Sequence, residues 1–333
     1  MTNKRTIIFI IITALLLLDV IAVGVFVRYR HRICTEIDCL YRRYYSGRRN
    51  SNLSRINSLP FLIDEPNEWY NTYQVIAHGG GGIDGKTCTD TKEAIELAYQ
   101  NGTRMFDIDI QQTSDGVWVC SHGWLDNIEQ DSLYRASISR IFQWDIEQTR
   151  YQLPQEKAKT QTIEEFKETK PFHKYTHITF EEFLEFMHEH DDVWLIADLG
   201  YIASDKYKAL YSELISKQGP IVRQHIVITF NTYQDAEILR TINSDVKLQL
   251  KRYGMLSESY YDVAEFCIKN NVHAVNLSIY NIDDEGIKYL QGRGIHVFVA
   301  AVDFLSDYQY CKEKGSYGIV SNFLYENDLK LIE

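Results

Sequence analysis

The chain of 333 residues is long enough to bury a full hydrophobic core, and its hydrophobic content of 45% and charged content of 24% are typical of a globular protein. The formal net charge of -11 argues against a nucleic-acid partner, because binding to phosphate backbones requires clustered Lys and Arg side chains. The six cysteines form no C-x-x-C pattern, so their spacing does not indicate a zinc site.

The N-terminal region contains a long apolar run, Ile7 to Val27, broken by Asp19 and by small residues. A helix of this length rises about 31 Å, which is enough to cross the hydrocarbon core of a membrane. The run is longer than the apolar region of most signal peptides, and no clear A-x-A cleavage site follows it. We therefore predict a retained single-pass anchor at residues 7–27, between a tail of residues 1–6 and a juxtamembrane linker of residues 28–74.

The charges that flank the anchor give two interpretations of its orientation. Basic residues are more numerous after the apolar run than before it, which by the positive-inside rule places the remaining chain in the cytoplasm. A very short basic tail, with Lys4 and Arg5, is however how an exported protein usually begins. We expect a cell-membrane protein whose main domain is extracytoplasmic, with the cytoplasmic orientation as the alternative.

From Val75 onward, short apolar runs alternate with segments of helical periodicity. The predicted strands are Val75–His78, Met105–Ile110, Val193–Asp198, Ile226–Phe230, Val246–Leu250, Ala274–Leu277, His296–Ala300 and Gly318–Ser321. Amphipathic stretches such as Lys92–Gln100 and Tyr260–Lys269 lie between them. Eight strands that alternate with helices predict an α/β fold, a (β/α)₈ TIM barrel over residues 75–333, with an open doubly wound sheet as the alternative.

One link in this alternation differs from the others. Val117–Ser121 predicts an extra short strand that pairs with the second strand through a turn at residues 114–116. The stretch that follows, residues 123–176, is rich in Gln, Glu and Lys and is too long for an ordinary loop between a strand and a helix. We expect a helical insertion over the barrel mouth there, before helical periodicity resumes at Ile178–Glu189.

Ionisable side chains lie at the predicted strand ends. His78 ends the first strand, Asp198 ends the third, and His122 follows the extra strand. Asp107 and Asp109 lie on one face of the second strand, because neighbouring residues of a strand point to opposite sides. The carboxyl ends of barrel strands form the active-site face, so we expect these five side chains to converge at one mouth.

Each of these residues alone has an ordinary structural interpretation, since a histidine or an aspartate at a strand end often only hydrogen-bonds to a loop. The combination is different. Two carboxylates on one strand face, Asp107 and Asp109, repel each other unless a proton or a cation lies between them. With Asp198 added, the cluster offers three oxygen ligands, which suit a hard divalent cation such as Mg²⁺ or Ca²⁺.

Several motifs follow one another in the order and spacing of a known family. They are Ile76–Gly80 (IAHGG), Thr89–Ala94 (TDTKEA), Phe106–Asp109 (FDID), Thr113–Gly116 (TSDG), Ser121–His122, Leu195–Asp198 (LIAD) and Gly318–Asn322 (GIVSN). Together they cover the chain from about residue 75 to about residue 325 and resemble the glycerophosphodiester phosphodiesterase family, in a branch with His-Gly-Gly in the first motif. The resemblance implies a TIM barrel.

The resemblance also implies roles for the five residues. His78 and His122 correspond to a general acid–base pair, and Asp107, Asp109 and Asp198 correspond to metal ligands. In this family a neighbouring glycerol hydroxyl attacks phosphorus, one histidine takes its proton, and the other protonates the leaving alcohol before water opens the cyclic phosphate. The expected reaction is therefore metal-dependent hydrolysis of a glycerophosphodiester to an alcohol and glycerol phosphate.

Three glycines stand where many family members have polar side chains. Gly79 occupies a usual Arg position, Gly123 an Asp position and Gly200 a Lys position, so two cations that could bind phosphate are missing. Lys251 and Arg252, which follow the predicted strand Val246–Leu250, are predicted to supply the substrate contacts that these glycines cannot make.

Two further functions are open at this point. A phospholipase D-like phosphodiesterase acting on membrane lipid is consistent with the predicted anchor. A non-catalytic barrel that binds a phosphorylated ligand is consistent with the three glycines. In both enzyme interpretations the expected partner is a small-molecule or lipid-derived phosphodiester.

Overall fold

A computed structural model describes residues 60–122, 160–200, 203–252, 260–279, 282 and 284–331. The predicted tail, the anchor, most of the linker and the first part of the insertion, residues 123–159 with Gly123, lie outside this range. Within the described part of the chain, no helix is long and apolar enough to cross a membrane. The single-pass anchor at residues 7–27 stays a prediction.

Nine strands form the centre of the described structure. They are β1 (Val75–His78), β2 (Met105–Gln112), β3 (Trp118–Cys120), β4 (Trp194–Asp198), β5 (Ile226–Phe230), β6 (Lys247–Arg252), β7 (Ala274–Ser278), β8 (His296–Ala300) and β9 (Gly318–Ser321). Apart from β3, they are all parallel, in the order β1-β9-β8-β7-β6-β5-β4-β2, and β1 pairs with β2 to close the cylinder. The predicted eight-stranded parallel barrel is confirmed.

Helices alternate with these strands. The described α-helices are α1 (Trp69–Thr72), α2 (Lys92–Gln100), α3 (Ile163–Glu168), α4 (Phe180–Glu189), α5 (Ala203–Glu213), α6 (Pro220–Gln224), α7 (Tyr233–Ile242), α8 (Tyr260–Lys269), α9 (Asp284–Gln291), α10 (Leu305–Glu313) and α11 (Glu326–Leu329). Several begin at a threonine that is followed three residues later by an acid. Thr179 and Thr232, for example, accept hydrogen bonds from the N–H groups of Glu182 and Asp235, which satisfies donors that the first helical turn leaves open.

Apolar side chains lie on both faces of the barrel wall. A smaller cluster includes Ile76, Met105 and Ile196, which by two-residue alternation share a strand face with the predicted site residues. A larger cluster includes Phe106 and Leu195 from the opposite face, together with the buried sides of the helices. The site face is therefore the inner face, and its polar residues stand above an apolar barrel interior.

The short helix α1 closes the amino end of the barrel. Trp69 is buried and stacks on Phe298 of β8, with ring centroids 5.6 Å apart, and Tyr70 stacks on His273, just before β7, at 4.6 Å. These residues fall in the segment predicted as a linker, residues 28–74. Because their aromatic rings are buried against the strands, the folded unit begins before Val75.

The predicted extra strand is present as β3. It pairs antiparallel with the end of β2, in a register that places Ile110 opposite Cys120. The described end of the insertion contacts the turn between these strands, where the N–H of Ser114 donates to the carbonyl oxygen of Gln161 at 2.9 Å. The short helix α3 follows directly, in agreement with an insertion built of short helices.

Candidate active site

The predicted site residues lie at the carboxyl ends of the inner strands. His78 is the last residue of β1 and is in register with Asp107 of β2. Asp109 follows two residues later on the same face and is in register with Asp198, the last residue of β4. Adjacent strands thus bring one histidine and three carboxylates to a single end of the barrel.

The second histidine reaches this end through the hairpin formed by β2 and β3. The backbone N–H of Ser121 donates a hydrogen bond of 2.8 Å to the carbonyl oxygen of Asp109. This bond ties the chain just before His122 to Asp109 of β2. All five residues predicted from the strand ends are therefore on the same side of the barrel.

Lys251 lies among these carboxylates. Its side chain is only 5% exposed, and its ammonium nitrogen is 2.6 Å from Oδ2 of Asp198 and 3.3 Å from Oδ2 of Asp107. The cation predicted to contact substrate phosphate is thus held between two of the predicted metal ligands.

Because this ammonium group is closer to Asp198 than to Asp107, the pKa values of the two aspartates shift in opposite directions. Burial raises the pKa of Asp107 above its usual range, and Lys251 offsets this only in part because Asp198 and Asp109 add negative charge nearby. Burial would also raise the pKa of Asp198, but the closer Lys251 ammonium, the Gly200 amide and the charge of His122 hold that pKa below its usual range. Asp198 is therefore the firmly ionised partner of Lys251.

Arg252 has different neighbours. Its guanidinium donates to the carbonyl oxygens of Asn231 and Lys251 and lies over the ring of Tyr233, with 4.9 Å from Cζ to the ring centroid. These contacts fix the segment between β5 and α7. A role of Arg252 in substrate binding stays a proposal.

A cysteine that the sequence motifs do not single out also reaches the site. Sγ of Cys88 lies 3.4 Å from Oδ2 of Asp109, and the thiol, one carboxylate oxygen of Asp109 and one ring nitrogen of His122 all lie within 4.8 Å of one another. Its place in the loop between β1 and α2 gave no signal in the sequence, because this contact depends on how the loop folds back.

Two further residues extend the site beyond the predicted set. Lys206 of α5 lies 3.5 Å from Oε1 of Gln111; burial lowers the pKa of Lys206, and the charge of Asp198 opposes that shift. Asp90 is buried, and its Oδ1 accepts a hydrogen bond of 3.3 Å from the backbone N–H of Asp109. Lys206 is therefore a cation close to Asp198, near position 200, where many family members have Lys and this chain has Gly.

The donor set fits a divalent cation. Three carboxylates and the Lys251 ammonium leave two negative charges in excess when all are ionised, and the pKa of Asp107 is raised by burial and further by the charges of Asp198 and Asp109. A divalent ion would balance this charge, and carboxylate oxygens are the ligands that Mg²⁺ and Ca²⁺ prefer. Asp107, Asp109 and Asp198 stay the predicted ligands, whereas the donor atoms that lie within 4.8 Å of one another in the described part of the chain belong to Cys88, Asp109 and His122.

A parallel eight-stranded barrel with histidines and carboxylates at its carboxyl end defines an enzyme of the TIM-barrel class. The sequence model of the glycerophosphoryl diester phosphodiesterase family matches residues 81–325. The chain therefore belongs to this family and is a phosphoric diester hydrolase. A search of curated protein sequences finds no match.

Solved structures share the fold at low sequence identity. A protein from Galdieria sulphuraria assigned as a glycerophosphodiester phosphodiesterase has a TM-score of 0.60 and 16% identity, and the match covers 80% of this chain and 100% of that chain. A phosphodiesterase from Oleispira antarctica in complex with the product sn-glycerol-3-phosphate has a TM-score of 0.54 and 16% identity, and the match covers 78% of this chain and 96% of that chain. A glycerophosphodiester phosphodiesterase from Thermotoga maritima has a TM-score of 0.52 and 18% identity, and the match covers 78% of this chain and 97% of that chain. At these identities the comparison supports the fold alone.

Proposed function

We propose that the chain hydrolyses a glycerophosphodiester to an alcohol and glycerol phosphate, using a divalent cation and two histidines. The observation that carries this proposal is the convergence of His78, His122 and three aspartates at the mouth of a barrel that belongs to this family. The product named for the Oleispira antarctica structure, sn-glycerol-3-phosphate, is consistent with such a substrate.

In this proposal Asp107, Asp109 and Asp198 hold Mg²⁺ or Ca²⁺, which neutralises charge on the phosphate when bound. Lys251 keeps Asp198 ionised and contacts both Asp198 and Asp107 at the end of the barrel. Lys251 and Lys206 are the cations beside these carboxylates that could meet a phosphate oxygen, whereas Arg252 contacts Asn231 and the ring of Tyr233.

The two histidines divide the proton transfers. One accepts the proton of a neighbouring glycerol hydroxyl as that oxygen attacks phosphorus, and the other donates a proton to the departing alcohol. Water then attacks and opens the cyclic phosphate, with the proton-donating and proton-accepting roles of the two histidines exchanged. His78 and His122 enter the site from different elements, the end of β1 and the segment after β3, which suits action on two sides of one phosphate.

A lipid substrate is a second candidate because of two exposed apolar side chains. Phe304 is 63% exposed and Leu305 is 40% exposed, and both follow β8 at the same end of the barrel as the site. An acyl chain of a lysophospholipid would bury such surface. This candidate uses the same histidines; its substrate carries an acyl chain on the glycerol, so the phosphate-containing product is an acylated glycerol phosphate.

The purified full-length chain is expected to release choline from glycerophosphocholine when Mg²⁺ or Ca²⁺ is present. Activity should disappear on chelation and return when the ion is added back. A higher kcat/KM for lysophosphatidylcholine would favour the lipid candidate. Failure to hydrolyse these substrates or an aryl phosphodiester, with an intact circular dichroism spectrum, would contradict both enzyme proposals and favour a phosphate-binding barrel.

The proposed location is the cell membrane, with residues 7–27 as anchor and the barrel outside the cytoplasm. An external protease added to intact cells that express the chain is then expected to degrade the barrel. A cytoplasmic marker protein serves as the control for cell integrity. Protection of the barrel until the cells are permeabilised would reverse the orientation.

A further inference from the structure

The thiol beside the proposed acid–base histidine completes a set of metal-binding donors. Cys88 is buried, with its Sγ 3.4 Å from Oδ2 of Asp109. Sulfur, a carboxylate oxygen and a ring nitrogen of His122 all lie within 4.8 Å of one another. Two of the three residues, Asp109 and His122, already belong to the site, so the thiol adds a different kind of donor at one edge of it.

We propose that Cys88, Asp109 and His122 bind a thiophilic divalent cation of the Zn²⁺ class, and that this ion inhibits the hydrolysis. The inhibition rests on the proposed function, because it follows only if His122 transfers a proton in the reaction. The binding of the ion stands on the geometry of the three donors alone.

The choice of ion follows from the chemistry of the donors. A thiolate, an imidazole and a carboxylate are ligands that Zn²⁺ accepts together, whereas Mg²⁺ and Ca²⁺ take oxygen ligands almost entirely. Three protein ligands leave a fourth tetrahedral position for water or a phosphate oxygen. When the ion binds, a Zn–S bond forms and the thiol proton of Cys88 goes to solvent.

The surrounding backbone holds the thiol in this place. Cys88 has a positive φ of 49°, and its N–H donates a hydrogen bond of 2.8 Å to Oδ1 of Asn322. The amide of Asn322 in turn donates to Oδ2 of Asp303 at 3.0 Å. A side chain at Gly79 would have its Cβ 2.5 Å from Sγ of Cys88, so the glycine leaves room for the sulfur.

Inhibition follows from the sharing of ligands. A ring nitrogen of His122 that is bonded to Zn²⁺ cannot accept or donate a proton, so the acid–base pair loses one member. Asp109 is a proposed ligand of both the hard ion and the thiophilic ion, so the two ions are expected to compete for it. Bound Zn²⁺ would therefore reduce kcat, and excess Mg²⁺ would relieve the inhibition.

Binding is tested with Co²⁺, which takes Zn²⁺ sites and shows a charge-transfer absorption when a thiolate is a ligand. The purified full-length chain, kept reduced with a non-thiol reductant, is expected to develop this band, and Cys88→Ala to lose it. Cys267→Ala is the matched control, because Cys267 is also a buried cysteine but lies on α8. Absence of the band, or its survival in Cys88→Ala, would overturn the site whether or not the chain is active.

Inhibition is tested separately by adding Zn²⁺ to the Mg²⁺-supported reaction. Loss of the sulfur ligand in Cys88→Ala is expected to raise the inhibitory Zn²⁺ concentration by about tenfold or more, in line with the effect of weakening a metal site. The Cys267→Ala control should keep the original value. Equal inhibition of the wild type and Cys88→Ala would refute the inhibitory role, even where the cobalt band confirms the site.

Discussion

Replacing His78 with alanine is expected to lower kcat for glycerophosphodiester hydrolysis by about 10²–10⁴-fold, the range that one general acid or base usually contributes. His122→Ala is expected to have an effect of similar size, because each histidine carries one of the two proton transfers. The measurement is kcat of the purified full-length chain at saturating Mg²⁺, with folding checked by circular dichroism.

The control and the double variant make this prediction specific. His188→Ala removes a histidine from α4 whose Nε2 lies 2.8 Å from Oε1 of Gln218, outside the site, and should leave kcat unchanged. The double variant of His78 and His122 should lose much less than the product of the single losses, since both act in the same reaction. A His78→Ala chain with nearly wild-type kcat would rule out the proposed acid–base pair.

The strands of the barrel could be predicted because each is a short, continuous apolar run. Strands of a parallel barrel are covered on both faces, so nearly every side chain is apolar and the run ends where the strand leaves the wall. The bounds of β1, β5, β8 and β9 agree with the sequence prediction residue for residue. Helices α2 and α8 agree as well, because their apolar residues recur at helical spacing.

Boundaries that depend on tertiary contacts could not be predicted in the same way. β2 continues past Ile110 to Gln112, because the polar residues Gln111 and Gln112 pair with Val119 and Trp118 of β3. Helix α1 carries no helical periodicity of its own, since it has only four residues and is held by the burial of its aromatic rings. Local sequence patterns contain neither fact.

The site likewise contains residues that local sequence patterns predict and residues whose contacts depend on the tertiary fold. The positions of His78 and Asp198 follow from their places at strand ends, and that of Asp107 follows from the face it shares with Asp109 on β2, so the sequence predicts that they meet. The contacts of Lys251 depend on the register of β6 relative to two strands that are not its sequence neighbours, and the sequence does not encode that register locally. Cys88 reaches the site only through a loop with positive φ, which apolar periodicity cannot indicate.

Replacing Lys251 with methionine is expected to lower the free energy of unfolding by about 3–5 kcal/mol, the usual effect of removing one partner from a buried ion pair. Methionine keeps most of the volume, so the loss is electrostatic: Asp107 and Asp198 would be left facing each other without the ammonium group. Chemical denaturation in the presence of a chelator measures it. Because burial already raises the pKa of Asp107, protonation of this carboxyl would limit the loss at neutral pH.

Lys247→Met is the matched control, because Lys247 lies on the same face of β6 but at its amino end, where it pairs with the partly exposed Glu68. Its loss should be smaller, because the side chains of Lys247 and Glu68 are 27% and 14% exposed, against 5% for both Lys251 and Asp107, and water screens a more exposed pair. Added Mg²⁺ or Ca²⁺ should raise Tm more in Lys251→Met than in the wild type, because the cluster then binds the ion with one more unbalanced negative charge. Equal stability and equal ion response in the two lysine variants would contradict a counter-charge role for Lys251.

The Michaelis constant separates this counter-charge role from substrate binding. If Lys251 also contacts the phosphate, the variant must show a higher KM for glycerophosphocholine even when excess Mg²⁺ has restored its Tm. If KM is then unchanged, Lys251 serves only to hold Asp107 and Asp198, and Lys206 becomes the nearest candidate cation for the phosphate, since it faces Asp198 from α5. The value of KM thus indicates which lysine side chain takes the place of the Lys that many family members have at position 200.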